Sequence, residues 1–188
     1  MSNMAKIWLS FYDEQVPHTL QYSDQTLYQS LQEAVRKNPD GIATIFVGAK
    51  IRYRELGRLV DRFANALADL GVQKGGRVAL ILPNSPAYPI AHFAVMKLGG
   101  VLVPTNPLYV ERELEYQLND SGAETVVILD QLYPRLKQVR SRTPVKRIIL
   151  TRIQDYLPRI LGLLYGLKNK SPVDPSQEQE VHEYRHLI

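Results

Sequence analysis

Cysteine is absent from the 188 residues. That excludes disulfides, a thiol nucleophile and any cysteine-built zinc site, and it is compatible with a reducing compartment. No stretch approaches 18 apolar residues, so no membrane-spanning helix is expected. The opening Met1-Ser-Asn-Met-Ala-Lys6 lacks the basic-then-apolar layout of a signal peptide. No Gly-x-Gly-x-x-Gly follows a strand-like run, and no Gly-x-x-x-x-Gly-Lys-Ser/Thr occurs. The glycine pairs Gly75-Gly76 and Gly99-Gly100 lead into apolar runs. A phosphate cradle needs glycines leaving a strand into a helix, so both pairs are read as turn punctuation.

What is present is a rhythm. Four short apolar runs, Arg77–Leu82, Val101–Val103, Glu124–Leu129 and Lys146–Leu150, start 24, 23 and 22 residues apart. The intervals have room for helices, and a parallel strand needs a crossover of a dozen or more residues. The spacing predicts parallel βα repeats over about 77–150, an α/β fold. Upstream, Ile42–Val47 and Ile51-Arg-Tyr53 flank a turn at Gly48-Ala49-Lys50 and predict a small hairpin.

Helices fill the remainder. Leu27, Leu31, Ala34 and Val35 lie on one face of a helix over 27–37, with Asp24 or Thr26 placed to cap it. A longer helix over 54–70 buries Leu56, Val60, Phe63, Ala64 and Leu67, and Gly71 suits its end. Asn84 and Ser85 are placed to cap a helix that begins near Pro86, whose small face is Ala87, Ala91, Ala94 and Val95. Another helix passes through Glu113 to Leu118, and one over 130–142 turns Leu132, Leu136 and Val139 inward. Residues 1–22 are read as an N-terminal arm whose Trp8, Phe11, Tyr12 and Tyr22 pack onto the domain. Residues 23–168 form the domain itself, and 169–188 a polar linker. An apolar run resumes at the very end, as though the chain continued.

Net charge is +4 but uneven. Residues 131–170 carry ten Lys or Arg and one acid, while 171–188 carry four acids and one Arg. The basic segment is read as a solvated face, with a membrane surface or an anionic ligand as the alternative. Nucleic acid is not an expected partner, because no helix-turn-helix or zinc-finger pattern is present. The leucine-rich segment 156–168 either packs on another part of the protein or acts as an amphipathic surface anchor.

Chemistry-bearing side chains are few. His92 lies on a helix face and is expected to make one hydrogen bond. His182 and His186 have i, i+4 spacing but no third ligand in register. Glu111, Glu113 and Glu115 read as an acidic first helical turn. Asp130 ends a strand and is expected to cap the next helix, with a functional role as the alternative.

Three runs together resemble a known family. They are Leu82-Pro-Asn-Ser-Pro86, Gly99-Gly-Val-Leu-Val-Pro-Thr-Asn-Pro-Leu-Tyr109 and Glu113-Leu-Glu-Tyr-Gln-Leu-Asn-Asp-Ser-Gly-Ala123. With Tyr53-Arg-Glu-Leu56 and Leu70–Ala79, they are similar to the N-terminal region of AMP-forming acyl-CoA synthetases, above all bacterial long-chain fatty-acid–CoA ligases. The resemblance covers about 25–150 and implies a partial N-terminal domain of an adenylate-forming enzyme. It implies a parent protein that uses ATP, Mg2+ and CoA to convert a fatty acid, through an acyl-adenylate, into acyl-CoA, AMP and diphosphate. The alternatives are a ligase for an aryl or shorter acid, a split enzyme, or a non-catalytic scaffold domain. The family's nucleotide donors are a Ser/Thr/Gly-rich loop ending in Lys, a Thr-Glu pair, a ribose-binding Asp and a lysine of a mobile C-terminal domain. None is found in these residues. Asn84, Pro104 and Asn106-Pro107 therefore count as framework positions. No catalytic, cofactor-binding or metal-binding residue is assigned, and the chain alone is expected to be inactive. The resemblance also implies the rest of the same enzyme as a partner, membrane contact through 156–168, and a cytoplasmic enzyme peripheral at the inner face of the plasma membrane.

Overall fold

A computed structural model describes residues 6–188, so Met1–Ala5 of the arm lie outside the described residues. The first helix, α1 (Leu27–Lys37), is started by Thr26 and not by Asp24. Thr26 Oγ1 accepts from Gln29 N at 3.2 Å, and Gln29 Oε1 accepts from Thr26 N at 2.7 Å. This reciprocal pair satisfies two amide donors that a helix start leaves open.

The hairpin follows as β1 (Ile42–Phe46) and β2 (Ala49–Arg52), paired antiparallel. Its turn is Val47-Gly48, one step earlier than the Gly48-Ala49-Lys50 reading, with φ of 48° and 87°. A two-residue turn that matches strand twist needs positive φ at both positions. Helix α2 (Tyr53–Asp69) buries all five residues of its expected stripe.

The parallel region is β3 (Arg77–Ile81), α3 (Ala87–Lys97), β4 (Val101–Pro104), α4 (Glu111–Ser121), β5 (Thr125–Leu129), α5 (Tyr133–Val139) and β6 (Arg147–Thr151). Two more elements follow: helix α6 (Arg159–Lys168) and a short strand β7 (Val181–Glu183). The sheet order is β4-β3-β5-β6-β7, and every neighbour is parallel.

Alternation along the strands divides the core in two. Val78, Leu80, Val127 and Ile149 meet α1, α2 and α3 on one face, joined by Phe63 and Leu67. Ala79, Ile81, Val126, Ile128 and Ile148 meet α4 and α5 on the other, joined by Leu118 and Leu136. Both faces are covered, so the strands are apolar throughout.

Four expectations change. Residues 181–187 are not linker: β7 pairs with β6, placing Val181 opposite Ile148 and Glu183 opposite Leu150. The strand supplies hydrogen bonds that β6 would otherwise leave open at an edge, and Tyr184 after it is buried to 1% exposure. Even 169–180 is anchored, since Arg140 Nη1 donates to Gln179 O at 2.9 Å. Second, the aromatics of the arm do not pack: Trp8, Phe11, Tyr12 and Tyr22 are exposed, because the apolar faces of α1 to α3 are taken up by one another and the sheet. Third, α3 starts at Pro86 with no side-chain cap; Ser85 contributes its backbone oxygen to Tyr88 N at 3.0 Å. Fourth, α5 is shorter than 130–142, and Tyr133 is buried where Leu132 is only partly covered.

Candidate functional site

Strand order decides where a ligand has room. The crossover from β3 runs outward to β4, while that from β5 runs outward the other way to β6. The crevice outside the carboxyl ends of β3 and β5 is therefore the topological switch point, the usual binding place in open α/β sheets. The loop Leu82–Pro86 and Asp130 border it.

Beside the loop, a cavity of about 340 Å3 lies between the hairpin and the start of α3, lined by Ala43–Phe46, Asn84–Pro86, Tyr88 and Pro89. Thr44 Oγ1 is buried there without a hydrogen-bond partner among the described residues. The remaining framework positions have local work to do. Pro104 closes β4, and Thr105 N continues the ladder to Leu80 O at 3.0 Å. Asn106 Oδ1 accepts from Leu108 N at 3.0 Å, a side-chain turn that fixes the loop. Arg135 Nη1 reaches the carbonyl of Pro107 at 3.4 Å.

On the other half of the edge, charged residues from three strand ends meet. Arg152, just past β6, donates from Nη2 to Glu183 Oε1 at 2.6 Å, and its Nε lies 4.0 Å from Asp130 Oδ2. Glu183 Oε2 also accepts from Arg185 Nε at 2.6 Å and lies 3.5 Å from His186 Nε2. Asp130 does not cap α5. Its Oδ1 accepts from Gln131 N at 2.8 Å at the head of a single 3₁₀ turn, and the residue is buried. Sequence reading missed the Arg152–Glu183 pair because Glu183 sat in a polar tail. The available signal was the Val-His-Glu alternation, with an acid ending the strand as Asp130 follows β5.

The other singled-out side chains are dispersed. His92 is half-buried with its ring centroid 6.2 Å from that of Tyr88 and 5.2 Å from that of Phe93; burial lowers its pKa below the usual imidazole value. It makes no hydrogen bond among the described residues, contrary to expectation, because its neighbours on α3 are aromatic. His182 belongs to β7 and His186 to the 3₁₀ turn after it, so their spacing is not helical. Glu113 Oε2 accepts from Val110 N at 3.1 Å at the start of α4, whereas Glu115 pairs with Arg142 at 2.9 Å. Gly75 and Gly76 enter β3, and Gly99 and Gly100 enter β4, as read. Among the described residues no three His, Asp or Glu side chains gather as a metal site.

The sequence pattern of the AMP-binding enzyme family matches residues 31–183. The chain belongs to that family. It is 36% identical to a long-chain-fatty-acid–CoA ligase of Bacillus subtilis over 181 residues, 95% of this chain and 32% of that protein. It is 41% identical to the ligase of the same description from Yersinia pestis over 165 residues, 86% of this chain and 29% of that protein. Among solved structures, a long-chain-fatty-acid-CoA ligase from Archaeoglobus fulgidus superposes with a TM-score of 0.66 at 30% identity, covering 70% of this chain and 28% of that one. This AMP-binding family chain thus spans about a third of the length of the curated relatives it matches. Its α/β architecture is that of the N-terminal domain of adenylate-forming enzymes.

Proposed function

We propose that this chain serves a long-chain fatty-acid–CoA ligase. ATP and the fatty acid give an acyl-adenylate and diphosphate; the thiol of CoA then displaces AMP to form the thioester. The observation that carries this reading is the 36% identity to a long-chain-fatty-acid–CoA ligase across 95% of the chain. The chain's own part is structural. It builds one wall of the switch-point crevice and holds the Leu82–Pro86 and Thr105–Tyr109 loops at its rim. The described residues do not fit Mg2+, since Asp130 and Glu183 both turn toward Arg152 and no three ligands assemble. Metal and phosphate donors in this reading come from outside these residues.

The test is a chimera in which this chain replaces the matching segment of the Bacillus subtilis ligase, assayed beside the chain alone. The chimera is expected to release AMP with palmitate and CoA and to do so poorly with benzoate. The chain alone is expected to release none. Pyrophosphate release by the chain alone, or a folded chimera inactive with palmitate, overturns the reading.

Helix α6 extends it. Ile160, Leu163, Leu164 and Leu167 fall at i, i+3, i+4 and i+7 and are 58% to 76% exposed. Arg159, Lys168 and Lys170 flank them. No helix among the described residues is long and apolar enough to cross a membrane. A stripe of this kind with basic ends suits the surface of an anionic bilayer, where a long-chain acid resides. In this reading the enzyme works in the cytoplasm, at the inner face of the plasma membrane.

A further inference from the structure

A second polar cavity opens on the other side of the sheet, at the amino ends of the strands. It holds about 360 Å3 and is lined by the Gly71–Arg77 loop together with Gly122, Glu124, Thr125 and Arg147. Parallel register brings these residues together: Thr125 of β5 stands opposite Val78 on one side and Arg147 on the other. Arg77 and Arg147 therefore flank β5, and Lys74 reaches in from the loop.

These three cations are not neutralised. Among the described residues no carboxylate lies within 4.0 Å of Lys74, Arg77 or Arg147. The one acid in the lining, Glu124, is held by Lys146 Nζ at 2.6 Å, and that bond keeps its carboxyl below the usual carboxylate range. Helices α2 and α4 both end here and bring roughly half a negative charge each. Three side-chain charges against those two ends leave the cavity at about +2.

If the arginines served only to complement the helix ends, their guanidinium groups would bond the terminal carbonyls. Neither does: Arg147 Nη1 makes a single long contact of 3.4 Å to Thr125 Oγ1, and Arg77 makes none among the described residues. Glycine gives the guanidinium groups their room. A Cβ on Gly71 would stand 3.2 Å from Arg147 Nη2, and one on Gly122 would stand 3.7 Å from Arg77 Nη1. Planar forks with free donors, in an open cationic cavity of this size, match tetrahedral oxyanions.

We propose that this cavity binds a small phosphate-bearing anion. The site lies on the edge opposite the switch-point crevice, so it is independent of the ligase reading.

The test is calorimetric titration of the chain at low ionic strength with inorganic phosphate, pyrophosphate and AMP. One ion is expected to bind per chain. Arg147→Gln and Arg77→Gln are each expected to weaken binding at least about tenfold, the loss of a charge-assisted contact. Lys50→Gln on the distant hairpin is expected to leave it unchanged. Lys74→Gln, on an exposed loop where folding is not at stake, is expected to weaken it by a smaller factor. Pyrophosphate tighter than AMP assigns a bare phosphate ligand, and the reverse assigns a nucleotide; either supports the site. No binding at millimolar concentration, or equal affinity in the Arg77→Gln/Arg147→Gln double variant, overturns it.

Discussion

The ring of Tyr184 lies 4.6 Å, centroid to centroid, from that of Phe63, tilted by 52°. One ring follows the last strand and the other sits in the middle of α2, 121 positions earlier. Both are essentially inaccessible to water. The contact closes the helical layer over β6 and β7 and makes the final residues part of the core. Tyr156 adds a third ring, 6.3 Å from Tyr184.

Tyr184→Ala removes a fully buried aromatic and is expected to cost about 3–5 kcal/mol. Tyr184→Phe keeps the ring and deletes a hydroxyl that is buried without a partner among the described residues. Its expected effect is a stabilisation of about 1 kcal/mol, the recovered desolvation cost. Urea denaturation of the two variants checks both. A larger loss for Phe than for Ala would refute the packing account.

Arg152 is the counter-charge for two carboxylates, with its side chain 18% exposed. Arg152→Ala leaves Asp130 buried and unpaired, while Glu183 retains Arg185. A loss of about 1–3 kcal/mol is expected, below the full cost of an orphaned buried charge. Arg185→Ala, at a half-exposed position, is expected to change stability by less than about 1 kcal/mol. Thermal melts that rank the two the other way contradict this assignment.

Tyr133 donates its hydroxyl proton to Glu178 Oε2 at 3.0 Å. Burial first, and then the bond to Glu178, push its pKa from 10.0 up to about 12. The folded chain therefore holds this proton more tightly than the unfolded chain. The stabilisation is complete below pH 10.0 and is lost as pH rises through about 12. Tyr184 and Tyr156 are shifted in the same direction by burial. The difference between the melting temperatures of wild type and Tyr133→Phe, followed from neutral pH into this range, isolates the contribution of Tyr133. A difference that stays constant across the range would show that Tyr133 has no part in it.

For α6, Leu163→Glu and Leu164→Glu are expected to reduce flotation with anionic liposomes several-fold, through loss of buried apolar area and added repulsion. Leu161, at 46% exposure, is a weaker choice of site. Unchanged partitioning of the double variant, with its circular dichroism intact, removes the membrane reading.

Much of this architecture was legible without coordinates. The stripe Leu56, Val60, Phe63, Ala64 and Leu67 has a single helical solution, and the apolar runs from Arg77 to Leu150, spaced for crossovers, have a parallel one. The runs around Leu82–Pro86 and Val101–Tyr109 were also enough to point to the family. β7 was not legible, because a three-residue strand with two polar members carries no periodic signal. It exists because β6 offers an edge to pair with. The arm misled for the opposite reason: its aromatics suggested packing, but no free apolar face remained to receive them.

Local patterning along the chain thus determined the helices, the strands and the parallel sheet, since periodicity and turn chemistry act over a few residues. Tertiary structure alone decided which distant charges meet. Arg152 finds Glu183, and Arg77 comes to flank β5 with Arg147, because parallel register aligns strand ends far apart in sequence. The exposure of the α6 stripe is likewise a matter of packing. Its Gly162 sits so close to Gln154 that a Cβ would stand 2.8 Å from that carbonyl oxygen, which seats the opposite face of α6 on the chain and turns the leucines outward.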